Sequence, residues 1–214
     1  MCGRFVSLSW DEVLGVIQSI QMDTPFNPEP DWPARKPDAF PKSIVPIIAQ
    51  EHGELAPLDL RWGFTAPWDT RKVLFNTRIE TALDQKSGVW REAIEHGRCI
   101  VPTFGFFEPS ATETVANPRT GKPIKRQYEF ALPGRLTLLA GVRDEEAFSV
   151  VTTSPNRFVA PIHARMPIVL EPNEVSRWLS GDFAALADRS NVILDVTGEQ
   201  APHGAQEGFT PTLF

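Results

Sequence analysis

Proline and glycine interrupt this chain too often for long regular elements: twenty prolines and fourteen glycines fall among 214 residues. Proline withholds a backbone donor and glycine costs more entropy to order, so short strands joined by turns are favoured. With 42% hydrophobic and 22% charged residues, the chain can bury one core. One domain is expected over residues 1–196, with 197–214 as a loosely held tail. Runs rich in β-branched and aromatic residues predict strands at 43–49, 58–64, 73–78, 98–107, 128–132, 136–142, 148–153 and 167–170. Helical patterns fall at 9–20, where Ser9 and Glu12 have capping-box spacing, and at 90–96, 172–179 and 183–188. Strands outnumber helices and do not alternate with them. This points to an α+β class on a mainly antiparallel, curled or barrel-like β-sheet with a few short helices. Residues 23–42, with six prolines, read as an irregular loop, 109–127 as a polar loop, and Pro133-Gly134 as a hairpin turn.

No apolar run approaches the roughly 18 residues of a membrane span, and Asp11 and Glu12 sit where a signal peptide would be apolar. A cytoplasmic protein with no membrane partner is expected. Two cysteines, Cys2 and Cys99, make no disulfide framework and are read as reduced. A net charge of −6 argues against coating nucleic acid without selection, but leaves room for a local basic groove. No ligand cluster has metal spacing, no glycine-rich loop fits a phosphate cradle and no Gly-x-Ser-x-Gly occurs. Neither metal nor cofactor is expected.

The chemistry concentrates in a few places. Removal of Met1 would leave Cys2 with an α-amine and a thiol on one frame. The amine condenses with an aldehyde to a Schiff base, and the thiol can close onto that imine as a five-membered thiazolidine. Both groups are partly unprotonated near neutral pH. Arg61-Trp62-Gly63 and Pro67-Trp68, followed by Asn76-Thr77-Arg78, bring indoles, an amide and guanidinium groups to strand ends. Such groups suit single-stranded nucleic acid, with bases stacked on aromatic faces and phosphates held by arginine. Trp62, Trp90 and Trp178 also read as core residues, which leaves Trp68 as the stacking candidate. The apolar strand from Arg98 ends in Glu108, which burial would bring to proton exchange near neutrality; an exposed loop acid is the competing reading. His163, two residues before Arg165, has a setting that His52, His96 and His203 lack.

These segments, in order, resemble the SRAP family, the SOS-response-associated peptidase-like proteins understood as abasic-site processing proteins. The resemblance rests on Met1-Cys2-Gly3-Arg4-Phe5, Arg61-Trp62-Gly63, Pro67-Trp68, Asn76 to Thr81, Arg98 to Pro102, Gly105 to Glu108, Ala140-Gly141 and His163 to Pro167. It implies an α+β domain that recognises abasic sites in single-stranded DNA and crosslinks to them through Cys2. Nothing such as a heptad seam demands more than a monomer, and association with the nucleoid is expected when it acts on DNA. The resemblance also implies roles: Cys2 as nucleophile, Asn76 holding the sugar or the N-terminal residue, Glu108 moving protons at the amine, and His163 assisting deoxyribose ring opening. Arg4, Arg78 and Arg165 would hold phosphates, Trp68 would stack a base, and Pro41 would match a loop that wedges beside the DNA. Pro109, Thr77 and Ala164 depart from the usual tryptophan, alanine and aspartate. Two other readings compete: a cysteine peptidase using Cys2 and His163, and a non-catalytic module binding single-stranded or modified DNA. A peptidase needs no free α-amine, so it leaves the position of Cys2 unexplained.

Overall fold

The computed structural model describes residues 2–24, 37–84 and 88–199. Strand β1 (Arg4–Val6) leads into helix α1 (Trp10–Met22), then β2 (Asp38–Ala39), β3 (Ile44–Glu51), β4 (Glu54–Trp62), β5 (Phe64–Ala66), β6 (Asp69–Leu74) and β7 (Asn76–Arg78). Short helices α2 (Ile79–Leu83) and α3 (Arg91–His96) precede β8 (Arg98–Thr103), β9 (Phe106–Ala116), β10 (Pro123–Ala131), β11 (Thr137–Arg143) and β12 (Ala147–Thr153). The chain then runs through β13 (Met166–Pro167), β14 (Val169–Leu170), a 3-10 turn at Pro172–Glu174, α4 (Val175–Ser180), a second 3-10 turn at Ala184–Ala187 and β15 (Asp195–Gly198). The expected first helix forms with its capping box complete, Ser9 and Glu12 each satisfying the other's backbone N–H.

Most pairings are antiparallel, as expected. Strands β12, β4, β3, β8 and β11 pair in succession and β11 returns to β12, so the large sheet curls into a barrel. Its strands alternate between two cores. Ile47, Cys99, Val101, Leu139 and Val150 face an inner cluster, which Phe5, Phe106 and Phe130 of a second, five-stranded sheet also fill. Ile48, Ile100, Leu138, Ala140 and Val151 face outward against Val13 and Ile17 of α1, Ile79 of α2, Ile94 of α3 and Trp178 of α4. Burial on both faces explains why these strands read as nearly continuous apolar runs.

Three expectations need correction. Residues 109–127 are not a loop: β9 and β10 form a long hairpin with an irregularity between Lys125 and Gln127. Pro133-Gly134 does not join a paired hairpin, because β10 belongs to the five-stranded sheet and β11 to the barrel. Residues 195–198 form an edge strand beside β10, so the start of the expected tail is held in a sheet. Residues 200–214, and 25–36 of the proline-rich segment, lie outside the described residues. No helix among the described residues is long and apolar enough to cross a membrane.

Candidate active site

Four separate stretches of chain converge at the open end of β1. Cys2 is fully buried in the inner core, and its Sγ lies 3.6 Å from the Arg4 carbonyl oxygen. Asn76 opens β7, whose parallel pairing with β12 turns the amide toward the N-terminal strand; its Nδ2 donates to the Cys2 carbonyl at 2.8 Å. The Asn76 Oδ1 is buried and finds no hydrogen-bond donor among the described residues. Glu108 sits in β9 opposite Tyr128, on the same face as Phe106, and is completely buried. His163 follows a tight turn in which its N–H donates to the Val159 carbonyl, and its Nδ1 lies 3.5 Å from Glu108 Oε2 and 2.9 Å from the Arg165 carbonyl.

Burial dominates the electrostatics. It raises the Glu108 carboxyl to about 7, against the pull of the N-terminal ammonium. Burial, with the Glu108 charge second, raises the Cys2 thiol far above its ordinary range, so the sulfur is a neutral thiol near pH 7. Burial lowers His163, which is therefore a neutral imidazole at the same pH. Among the described side chains of the site, Glu108 is thus a group poised to exchange a proton near neutrality.

The cationic and aromatic candidates separate into two sets. Trp68 caps the β5–β6 turn with 63% of its surface exposed, whereas Trp62 and Trp178 are fully buried and bond through their indole N–H to the Phe75 and Cys99 carbonyls. Trp90 is packed edge-on against Phe64. Pro41 sits in a turn at the end of β2. Arg78 is exposed at the junction of β7 and α2. Arg165 forms a two-pronged pair with Glu80 at 2.8 and 2.9 Å, and its Nη2 also donates to the Thr152 carbonyl.

Arg4 is different. It pairs in register with Phe107, one residue out of phase with Glu108, so its side chain lies on the opposite face of the five-stranded sheet. There it stacks on Phe107 at 3.6 Å and pairs with Asp38 at 3.0 Å and with Glu199. Its guanidinium is occupied by two carboxylates on the face opposite Glu108. Sequence reasoning missed Asp38 and Glu199, because nothing local signals a partner 195 residues away. Among the described residues, no group of three His, Cys, Asp or Glu could hold a metal ion.

The chain is 28% identical over 193 residues to the abasic site processing protein YedK of Escherichia coli, covering 86% of this chain and 82% of that protein. It is 28% identical over 194 residues to the abasic site processing protein YoqW of Bacillus subtilis, covering 84% and 80%. Among solved structures, a Bacteroides thetaiotaomicron protein superposes with a TM-score of 0.64 at 22% identity, over 92% of this chain and 91% of that one. The family model described as SOS response associated peptidase (SRAP) matches residues 1–201, and on that match the chain belongs to the SRAP family.

Proposed function

We propose that the protein processes abasic sites in DNA by forming a covalent thiazolidine between Cys2 and the ring-opened deoxyribose of a single-stranded substrate. The reading is supported by the relatives named as abasic site processing proteins, which the chain spans over about four-fifths of their length. The single observation that carries it is geometric: the Asn76 amide holds the Cys2 carbonyl at 2.8 Å beside a fully buried Glu108 that lies 3.5 Å from His163, with burial pushing the Glu108 carboxyl up to about 7.

Once Met1 is removed, the Cys2 amine attacks the sugar aldehyde. Glu108 accepts the ammonium proton and returns it to the carbinolamine hydroxyl, which leaves as water and gives the imine. The neutral thiol then adds to the imine carbon: a C–S bond forms and its proton passes, by way of Glu108, to the nitrogen. The net change is aldehyde plus aminothiol to thiazolidine plus water. A thiol held protonated until the imine forms suits this order, because the amine reacts first. Asn76 fixes the Cys2 carbonyl, and its remaining oxygen accepts a hydroxyl of the sugar. His163, neutral and beside Glu108, assists opening of the deoxyribose ring. Trp68 stacks a neighbouring base, Pro41 wedges beside the strand, and Arg78 and Arg165 hold phosphates, Arg165 exchanging Glu80 for the DNA. Arg4, which also positions β1, would hold a flanking phosphate by giving up Asp38 or Glu199. The same imine could be resolved by elimination, giving lyase activity.

A peptidase reading fares worse, since it requires a thiolate where burial strongly favours the thiol. The deciding experiment incubates protein lacking Met1 with a single-stranded oligonucleotide carrying one abasic site, followed by a denaturing gel. A heat-stable shifted band is expected, lost in Cys2→Ala and when the amine is blocked with the thiol intact. No band from verified Cys2-terminated protein overturns the proposal.

A further inference from the structure

We infer that Lys42 binds the DNA backbone, holding a phosphate on the side of the abasic residue away from Arg78 and Arg165. The inference rests on the abasic-site reading above and extends it to a residue that neither the motifs nor the pairings of acid and base single out.

The first observation is backbone strain. Three non-glycine residues among those described have positive φ: Asp23 at 52°, His52 at 52° and Lys42 at 81°. Asp23 caps α1, and His52 precedes Gly53 in the tight β3–β4 turn; both residue types visit this region readily. Lysine has no such preference. Ser43 N donates to the Phe40 carbonyl at 2.9 Å around Pro41 and Lys42, which makes a type II turn with lysine where glycine is usual. The turn is held from every side. Phe40 N donates to Ser43 Oγ, Lys42 N donates to the Trp62 carbonyl at 2.8 Å, and Trp62 N donates to the Ser43 carbonyl at 2.8 Å. Glycine would satisfy all these bonds without strain, yet the chain keeps an exposed ammonium there.

The second observation is position. Strand β12 acts as a ruler: Phe148 aligns with Trp62, Val150 with Asn76, and Thr152 with Arg78. Trp62 carries the Lys42 turn, Asn76 holds Cys2, and Thr152 accepts from Arg165. Lysine, cysteine and arginines therefore follow one another along four residues of strand, about 13 Å. The β1–β2 ladder agrees. Phe5 pairs with Ala39, so Cys2 and Lys42, each three residues beyond, leave that ladder at the same end. A strand whose abasic residue reaches Cys2 has Arg78 and Arg165 on one side and Lys42 on the other.

The test uses Lys42→Gly and Lys42→Arg in protein lacking Met1, with abasic oligonucleotides whose reactive residue is internal, at the 5′ end or at the 3′ end. Lys42→Gly is expected to melt no lower than wild type. It should crosslink the internal substrate about three- to ten-fold more slowly at low salt, with a log–log salt slope shallower by about 0.7. The defect should vanish on the terminal substrate that lacks the phosphate on the lysine side and persist on the other, and Lys42→Arg should restore the rate. Wild-type crosslinking with an unchanged Lys42→Gly rate, a loss that tracks a lowered melting temperature, or an equal defect on both terminal substrates overturns the inference alone. Absence of crosslinking by wild type overturns the abasic-site reading and this inference with it.

Discussion

Glu108 and Arg4 are near neighbours in the central strands of the five-stranded sheet, yet the register sends one charge into the core and the other to the far face. For Glu108, a carboxyl raised from its ordinary value of 4.5 to about 7 binds more protons in the folded than in the unfolded state between those pH values. Its contribution to stability is therefore full below about pH 4.5 and is lost as pH rises through 7, a swing of about 3 kcal/mol. Urea titrations of wild type and Glu108→Gln should accordingly diverge as pH rises from 4.5 to 8, with wild type becoming the weaker. Equal curves would mean that Glu108 does not hold its proton. In the crosslinking assay the same substitution should slow adduct formation at least ten-fold, since it leaves the buried site without its exchangeable proton. Much of this site was legible in sequence: Cys2, Asn76 and His163 stood in recognisable surroundings. The burial of Glu108 was only half legible, because an apolar strand ending in an acid fits a core carboxyl and an exposed turn equally well.

At the level of elements, β4 and β5 are joined at Gly63, whose φ of +112° and crowded surroundings leave no room for a side chain. A Cβ there would lie 2.2 Å from Val73 Cγ1. Gly63→Ala should cost about 2 kcal/mol or more, read as a lower midpoint in chemical denaturation, and should loosen the β5–β6 hairpin that carries Trp68. The barrel strands were readable because burial on both faces makes them apolar throughout. The β9–β10 hairpin was not: residues 111–114 and 116 are exposed, so polar side chains line it and no alternation marks a strand. Pro133-Gly134 misled for another reason. Turn chemistry dictates that the chain reverses, while the choice of partner strand is made by distant packing, here in a different sheet.

Across the whole molecule, the Arg4 cluster ties three remote segments: β1, β2 through Asp38, and the residue after β15 through Glu199. Arg4→Met would leave two partly buried carboxylates facing each other and should cost about 3 kcal/mol. Adding Asp38→Asn and Glu199→Gln should recover part of that loss, whereas independent contributions would make the triple variant worse than the single one. Because Cys2 lies two residues before Arg4 at the start of β1, Arg4→Met should also slow crosslinking even under conditions where the protein remains folded. The clamp has a consequence for biosynthesis. Arg4 is synthesised 195 residues before its partner Glu199. The strand next to the reactive cysteine can therefore pair with β2 and β9 early, but its clamp is complete only once synthesis has reached Glu199, beyond the last strand of the sheet.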